Sequence, residues 1–126
     1  MSHTVTYNLE LHIIETKVQG NLILSEAKEI ISDIVQVAKE NDCFLCLSDY
    51  REATLKLSTF EIYDIPKIIS EMSVRLGIPG NKYKRAIVMT NDFENFSFYE
   101  TVTLNSGQTI KLFQDFDEAK KWVSEK

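Results

Sequence analysis

Residues 43–47 read Cys-Phe-Leu-Cys-Leu, a continuous apolar run of strand length. Such a run is typical of a central β-strand that other elements cover on both faces. A second run, Ala86-Ile-Val-Met89, predicts another buried strand over residues 85–90. The segment between them carries apolar side chains at helical spacing, which predicts a helix. Strand, helix and strand in this order indicate a parallel pair of strands with a helix packed against it.

The segments that precede the first buried run predict two strands and a helix. Residues 5–20 alternate apolar and polar side chains or are rich in β-prone residues, and sixteen residues are too many for one typical strand. We therefore expect two strands joined by a tight turn, which form an antiparallel hairpin. Ser25 is the expected N-cap of a helix that runs to about residue 41.

The segment between the two buried strands begins with polar residues and then shows a helix start signal. Residues 48–54, Ser-Asp-Tyr-Arg-Glu-Ala-Thr, predict a loop because most of them are polar. Ser58 and Glu61 have the spacing of a capping box, in which each side chain accepts a hydrogen bond from the backbone of the other. Pro66 lies within the helix that follows and predicts a kink there.

The C-terminal part predicts one more strand between two helices. Asn91 or Asp92 is the expected N-cap of a helix from residue 93 to about residue 104, and residues 109–113 form a strand. Asp115 and Glu118 then mark the start of a last short helix. The predicted fold class is α/β, a mixed and mostly parallel sheet of about five strands with about four helices, in the order β-β-α-β-α-β-α-β-α.

Length and charge limit the possible functions. The chain has 126 residues, which predicts a single domain over residues 1–126. Its net charge of −5 argues against a general nucleic-acid binder, because such a protein needs an excess of basic side chains. No run approaches the roughly 20 apolar residues of a membrane helix, and the N-terminal residues do not resemble a signal peptide. The cytoplasm is therefore the expected location.

Cys43 and Cys46 form a C-x-x-C motif, which invites a redox or zinc interpretation. Their neighbours Phe44, Leu45 and Leu47 instead indicate a buried strand. Side chains three residues apart on a strand point to opposite faces, so the two sulfur atoms diverge. We therefore predict buried, unreactive cysteines, with no metal and no cofactor.

Polar residues near the ends of the two buried strands form the candidate site. Asp49 and Arg51 follow the first strand, and Asn91 and Asp92 follow the second. Ligands of open α/β sheets bind at the carboxyl edge of the strands, and the nearby helix start at Ser58 and Thr59 attracts anions. These six residues could form one polar pocket, but each of them also fits a structural role as a cap or turn residue.

Signatures of known enzymes are missing from the sequence, which lacks a nucleophile elbow, a P-loop and a dinucleotide-binding glycine motif. We therefore expect a protein that is not an enzyme. A carboxylate pair of Asp49 and Asp92 remains the distant catalytic alternative. Phe98 lies off the apolar stripe of its helix, where it could mark a homodimer interface or cover the edge of the sheet.

Three phrases of the sequence together resemble the STAS domain superfamily, and within it the small stand-alone SpoIIAA-like proteins. These phrases are Val18-Gln-Gly-Asn-Leu-Ile-Leu-Ser-Glu-Ala-Lys28, then Leu47-Ser-Asp-Tyr-Arg51 followed by Leu57-Ser58, and Ile110-Lys-Leu-Phe-Gln-Asp-Phe-Asp-Glu-Ala-Lys-Lys-Trp-Val123. Their order and spacing span nearly the whole chain. The resemblance implies a regulatory or binding module.

The resemblance also suggests what the helix start at Ser58 does. In the anti-sigma-factor antagonists of this superfamily, a serine at the start of the second helix is phosphorylated and controls the choice of partner, and Ser58 is its positional match. Those antagonists carry Ser-Gly where this chain has Ser58-Thr59. Other relatives are similar to lipid-transfer domains. The leading hypothesis is therefore a module that binds an unknown protein partner, and the alternative is a carrier of a small apolar ligand or lipid.

Overall fold

A five-stranded sheet forms the centre of the protein in a computed structural model that describes residues 2–90 and 93–125, apart from the side chains of residues 93 and 95. The strands lie in the order β1-β2-β3-β4-β5. β1 is antiparallel to β2, whereas the other neighbouring strands are parallel. Their bounds are Ser2–Asn8 for β1, Ile13–Leu22 for β2, Leu45–Leu55 for β3, Lys84–Val88 for β4 and Thr109–Phe113 for β5.

Four helices cover the sheet unequally. α1, α2 and α3 share one large core with one face of the sheet, whereas α4 packs on the other face in a smaller core around Leu47, Ala86 and Val88. The helix bounds are Leu24–Asn41 for α1, Thr59–Arg75 for α2, Phe93–Asn105 for α3 and Phe116–Ser124 for α4. The element order and the hairpin start confirm the fold predicted from the sequence.

β3 is longer than predicted, and the expected loop over residues 48–54 is wrong. These residues continue the strand because they pair with β2 as far as Leu22. The register shifts between Lys17, which pairs with Asp49, and Gln19, which pairs with Glu52. One extra residue of β3 is accommodated there, as in a β-bulge, and Ala53 consequently joins the core under the three helices.

The helix starts show which capping predictions hold. Ser58 caps α2 through both hydrogen bonds of a capping box, and Asp115 caps α4 by accepting from the Glu118 N–H at 3.0 Å. The predicted cap at Ser25 is wrong, because α1 begins at Leu24 with Ile23 in the cap position and without a side-chain cap. The Ala27 N–H bonds to the Ile23 carbonyl oxygen at 3.0 Å, so the first turn is closed by the backbone.

Candidate functional site

Asp49 and Arg51 form a close ion pair on the α4 side of the sheet. Residues two apart on a strand project from the same face, so the two side chains meet. Nε and Nη2 of Arg51 donate to Oδ1 and Oδ2 of Asp49 at 2.9 and 2.8 Å, and the Arg51 backbone N–H donates to Oδ1 at 3.0 Å. The guanidinium also lies 5.0 Å from the centre of the Phe116 ring. Both carboxylate oxygens of Asp49 therefore accept hydrogen bonds from Arg51.

The ionisation of Asp49 follows from this pairing. Burial alone raises the pKa of Asp49, but the hydrogen bonds and charge of Arg51, with the charge of Lys17, outweigh that effect and lower the pKa overall. Asp49 is therefore a stable carboxylate at neutral pH. A general base works best when its pKa lies near the operating pH, so this shift does not favour catalysis by Asp49.

A polar groove of about 200 Å³ surrounds the pair, between residues of β1, β2 and β3 and Phe116 of α4. Beside it, Lys17 approaches Glu52 at 3.5 Å, and Gln19 donates to Glu52 at 2.6 Å. The groove is lined by Thr4, Thr6, Glu15, Thr16, Lys17, Leu47, Asp49, Arg51 and Phe116. Both charge signs are present and largely paired, which gives the groove no strong preference for a cation or an anion.

The start of α2 presents a firmly held turn with exposed side chains. The Ser58 N–H donates to Glu61 Oε1 at 2.8 Å, and the Glu61 N–H donates to Ser58 Oγ at 3.2 Å. Phe60 in the first turn is 83% exposed, and Tyr63, one turn later, is 53% exposed. Ser58 and Thr59 are exposed as well. We call these four residues, Ser58, Thr59, Phe60 and Tyr63, the α2 surface.

The predicted single polar pocket does not form from the described residues. Asp49 and Arg51 lie within β3 on the α4 side of the sheet, whereas α2 packs on the opposite face. The sheet therefore separates them from Ser58 and Thr59. The prediction failed because β3 continues to Leu55, which places Asp49 well before the carboxyl end of the strand. Asn91 and Asp92 lie outside the described residues.

Phe98 lies against the α2 surface. It is partly buried, and its ring meets Tyr63 edge to face with 5.7 Å between the ring centres. Phe98 thus packs α3 against α2 and holds the Tyr63 ring by an edge-to-face contact. Its role in a homodimer interface stays a prediction.

A cavity lies between α1, α2, α3 and the sheet, where the carrier hypothesis requires a binding site. Its volume is about 40 Å³, far below the roughly 300 Å³ at which pockets for drug-sized ligands begin. A lipid chain does not fit this space. The lining is mostly aliphatic and aromatic, with Ser48, Tyr50, Tyr99 and Arg85 as its polar members.

Arg85 has an unusual environment beside this cavity. Its Nη2 donates to the Tyr99 hydroxyl at 2.6 Å, and its guanidinium lies 5.6 Å from the centre of the Tyr99 ring. Nη1 is buried and has no hydrogen-bond partner within the described part of the chain. The ion pairs found among the described residues do not include Arg85. The partly buried Arg85 therefore has no carboxylate partner among these residues.

Both cysteines are free and buried, as predicted. Cys46 lies on β3, and burial raises the pKa of its thiol to about 12. Cys43 precedes the strand instead of lying on it, and its Sγ contacts the His12 carbonyl oxygen at 3.0 Å. Burial also raises the pKa of Cys43, so neither sulfur is activated as a thiolate.

Sequence reasoning overlooked three of the residues described above. Phe60 and Tyr63 lie off the apolar stripe of α2, and their exposure follows from that position. Arg85 belongs to the buried strand predicted over residues 85–90, but its side chain was assigned no role. Its alternation with Ile87 and Met89, which face the core of the three helices, would have placed it inside that core.

The described residues contain neither a membrane-spanning helix nor a cluster of metal-binding side chains. No helix there is long and apolar enough to cross a membrane. Within the same residues, no group of three or more histidine, cysteine, aspartate or glutamate side chains is arranged to hold a metal ion.

Comparison with known proteins identifies the fold. No family model matches the sequence, and no curated protein matches it. The structure is similar to the crystal structure of an uncharacterised DUF3478-family protein with a SpoIIAA-like fold from Shewanella loihica PV-4. The TM-score is 0.60 at 17% sequence identity, and the match covers 97% of this chain and 92% of the other. The chain therefore has a SpoIIAA-like fold, as its resemblance to that group implied.

Proposed function

We propose that this protein is a non-catalytic, cytoplasmic binding module of the SpoIIAA-like type that contacts a protein partner through the α2 surface. The observation that carries the proposal is the 83% exposure of Phe60 in the first turn of α2, beside the half-exposed Tyr63. Single exposed apolar residues are common, but two neighbouring aromatic residues on one helix face are typical of a binding surface.

The α2 surface is suited to binding because its first turn and the Tyr63 ring are already held in place. The capping box fixes the first turn, and Phe98 holds the Tyr63 ring edge to face. Little conformational entropy is then lost when a partner binds. Burying a phenylalanine side chain contributes about 2 to 3 kcal/mol, so Phe60 alone supplies a substantial part of a modest affinity.

Ser58 gives the same surface a means of regulation. A phosphate on its exposed hydroxyl would place about two negative charges at a helix N-terminus, where the helix dipole favours them. It would also remove the hydrogen bond from the Glu61 N–H and repel the Glu61 carboxylate. Phosphorylation would therefore change the charge and the local geometry beside Phe60 together.

The state of Asp49 supports a non-catalytic role. Its lowered pKa and its pairing with Arg51 stabilise the ionised form. An enzyme built on a carboxylate pair would instead need one carboxyl group whose pKa is raised. The pairing thus favours a structural role for Asp49.

The proposal is tested by capturing partners from the native host with variants of the α2 surface. Phe60→Ala should retain wild-type stability within about 0.5 kcal/mol, because the ring is exposed, but should capture much less partner. The matched control is Val74→Ala, which removes a 63% exposed side chain near the other end of α2. Equal capture by the two variants would contradict the proposal.

Variants of Ser58 distinguish a role as a helix cap from a role as a regulatory switch. Ser58→Ala removes the cap and should cost about 1 kcal/mol of stability, whereas Ser58→Asp retains a good N-cap and adds a negative charge. We expect Ser58→Asp to change the set of captured proteins at unchanged stability. If both variants capture the same proteins as the wild type, Ser58 is a cap and not a switch.

A further inference from the structure

The environment of the partly buried Arg85 suggests a second binding site, on the face of the sheet covered by α1, α2 and α3 and separate from the α2 surface. A charged side chain in an apolar core is costly unless its charge is compensated, and compensation normally comes from a carboxylate. Arg85 faces the core shared by α1, α2 and α3, yet its hydrogen-bond partner there is the neutral Tyr99 hydroxyl. An arginine kept in such a place breaks the usual rules of core packing, and such breaks are expected at functional sites.

Two small cavities adjoin the guanidinium. The larger, of about 40 Å³, is lined by Arg85 together with Ser48, Tyr50 and Tyr99. The smaller, of about 20 Å³, lies between Arg85, Cys46, Tyr83 and the aliphatic side chains of α1. The buried Nη1 has no hydrogen-bond partner among the described residues. Space therefore lies beside the Arg85 side chain, whose buried Nη1 is also unsatisfied.

The polar atoms around the larger cavity are suited to an anion. Arg85 carries a fixed positive charge, and the hydroxyls of Ser48 and Tyr50 can donate hydrogen bonds. Burial raises the pKa of Tyr50, so its hydroxyl stays protonated at neutral pH. Within the described part of the chain, no acidic side chain lines this cavity. A cation would therefore meet a like charge and no counter-charge.

The rest of the lining sets the remaining chemistry of the ligand. Leu22, Ile30, Leu55 and Ile65 present aliphatic surface to the same space. A strongly hydrated inorganic anion would lose its water there without compensation, whereas an organic anion would bury its apolar part. The volume of about 40 Å³ accommodates a few water-sized groups, which corresponds to a short ligand and not to a fatty acid.

We propose that this cavity binds a small monocarboxylate of about two to four carbon atoms, whose carboxylate pairs with the guanidinium of Arg85 while its alkyl part contacts the aliphatic lining. The ligand supplies the missing counter-charge of Arg85. Because Arg85 also holds Tyr99 of α3, binding at this site stabilises the packing of α3 on the sheet.

NMR titration of the intact protein tests the site with acetate, butyrate and neutral butyramide as probes. Butyrate should shift the backbone amide signals of Arg85, Tyr99 and Ser48 with a dissociation constant on the order of 1 mM, as expected for so small a ligand. Acetate should bind more weakly, because it buries less apolar surface. Butyramide has nearly the same shape without the charge and should cause no comparable shift.

Variants connect the binding to Arg85. Arg85→Gln should weaken butyrate binding at least tenfold, Arg85→Lys should weaken it less, and Arg75→Gln, which removes an exposed arginine at the end of α2, should leave it unchanged. If Arg85→Gln fails to fold, the comparison of butyrate with butyramide on the wild-type protein decides alone. Equal shifts from butyrate and butyramide, equal affinity for chloride and butyrate, or no shift with any carboxylate would each overturn the proposal.

Discussion

At the scale of single residues, Asp49 shows how a position on a strand determines chemistry. Its side chain lies two residues from Arg51 on the same face of β3, and the pair closes three hydrogen bonds. The Asp49 side chain is only 11% exposed, whereas that of Arg51 is 43% exposed. The carboxylate is thus held in one geometry by a partner that stays in contact with water, which favours stability over reactivity.

The lowered pKa of Asp49 predicts how stability depends on pH. A carboxyl group whose pKa is lower in the folded state stabilises the fold above its unfolded pKa of about 3.9, and this contribution disappears as the pH falls through the folded pKa. Asp49→Asn should therefore be less stable than the wild type at pH 7. The difference between the two proteins should shrink as the pH falls from about 5 to 2. Urea unfolding at a series of pH values measures this difference.

Asp64→Asn is the matched control for that experiment, because Asp64 is an exposed aspartate on α2. Its stability should follow the wild-type pH dependence closely. A difference between Asp49→Asn and the wild type that stays constant with pH would show that the ionisation of Asp49 does not contribute to folding.

Residue roles were predictable where the signal is local. The spacing of Ser58 and Glu61 predicted the capping box, since both hydrogen bonds lie within one turn. The pairing of Asp49 with Arg51 was not predicted, because it depends on β2 extending to Leu22 and keeping residues 48–54 in a strand. Polar composition alone does not distinguish a loop from a strand whose face is left partly open to water.

At the scale of elements, Lys84 on β4 contributes to the packing of α4 on its face of the sheet. Nζ of Lys84 donates to the carbonyl oxygens of Trp122 and Glu125 at 2.6 and 2.9 Å. It also lies 4.5 Å from the centre of the Trp122 ring. The last carbonyls of a helix lack partners within it and carry partial negative charge, so this lysine binds the end of α4 to β4.

We expect the Lys84→Met substitution to loosen the packing of α4 locally. The variant keeps the aliphatic chain but loses the charge and both hydrogen bonds, which should cost about 1 to 2 kcal/mol after allowance for partial exposure. Because Trp122 is the single tryptophan of the chain, its fluorescence should shift to longer wavelength. Chemical unfolding followed by this fluorescence measures both effects.

Lys111→Met supplies the control for the lysine effect. Lys111 is exposed on β5 and lies 5.2 Å from the centre of the Phe113 ring, so it makes a similar ring contact. The Lys111→Met variant should stay within about 0.5 kcal/mol of wild-type stability, and its tryptophan emission should not change. If the two variants behave alike, the hydrogen bonds to the end of α4 are not what holds that helix.

Elements were predicted best where their ends carry strong signals. The structure confirms the strand over residues 109–113 and the helix start after Asp115. The start of α1 was misplaced, because Ser25 is a good capping residue by type while the chain uses the backbone of Ile23. The start of α1 is instead determined by the pairing of β2 with β3, which extends to Leu22. That pairing joins residues far apart in the sequence, so it is not a local signal.

At the scale of the whole molecule, the sheet separates two environments. One face carries the core of α1, α2 and α3 with Arg85 inside it, and the other carries α4 beside a polar groove. The alternation of strands and helices predicted the order of elements and the mostly parallel sheet. It did not predict which helices share a face. It also did not predict that β3 continues past Asp49 to Leu55, and for this reason the expected pocket that joined Asp49 with Ser58 does not form.

The α2 surface is the part of the molecule on which the proposed function depends. The proposed partner is either another protein of the host or a second copy of this chain, and homodimerisation stays a prediction. The mass of a covalent adduct distinguishes the two, because a second copy of the chain doubles the mass of the protein.

The most direct measurement is site-specific photo-crosslinking in the native host, with a photoreactive phenylalanine analogue at position 60 or, as the control, at position 74. Both positions are exposed on α2, so neither substitution should disturb the fold. We predict a discrete adduct from position 60 and none of comparable yield from position 74. No adduct from position 60, or equal adducts from both positions, would contradict the account of this protein as a module that binds through the start of α2.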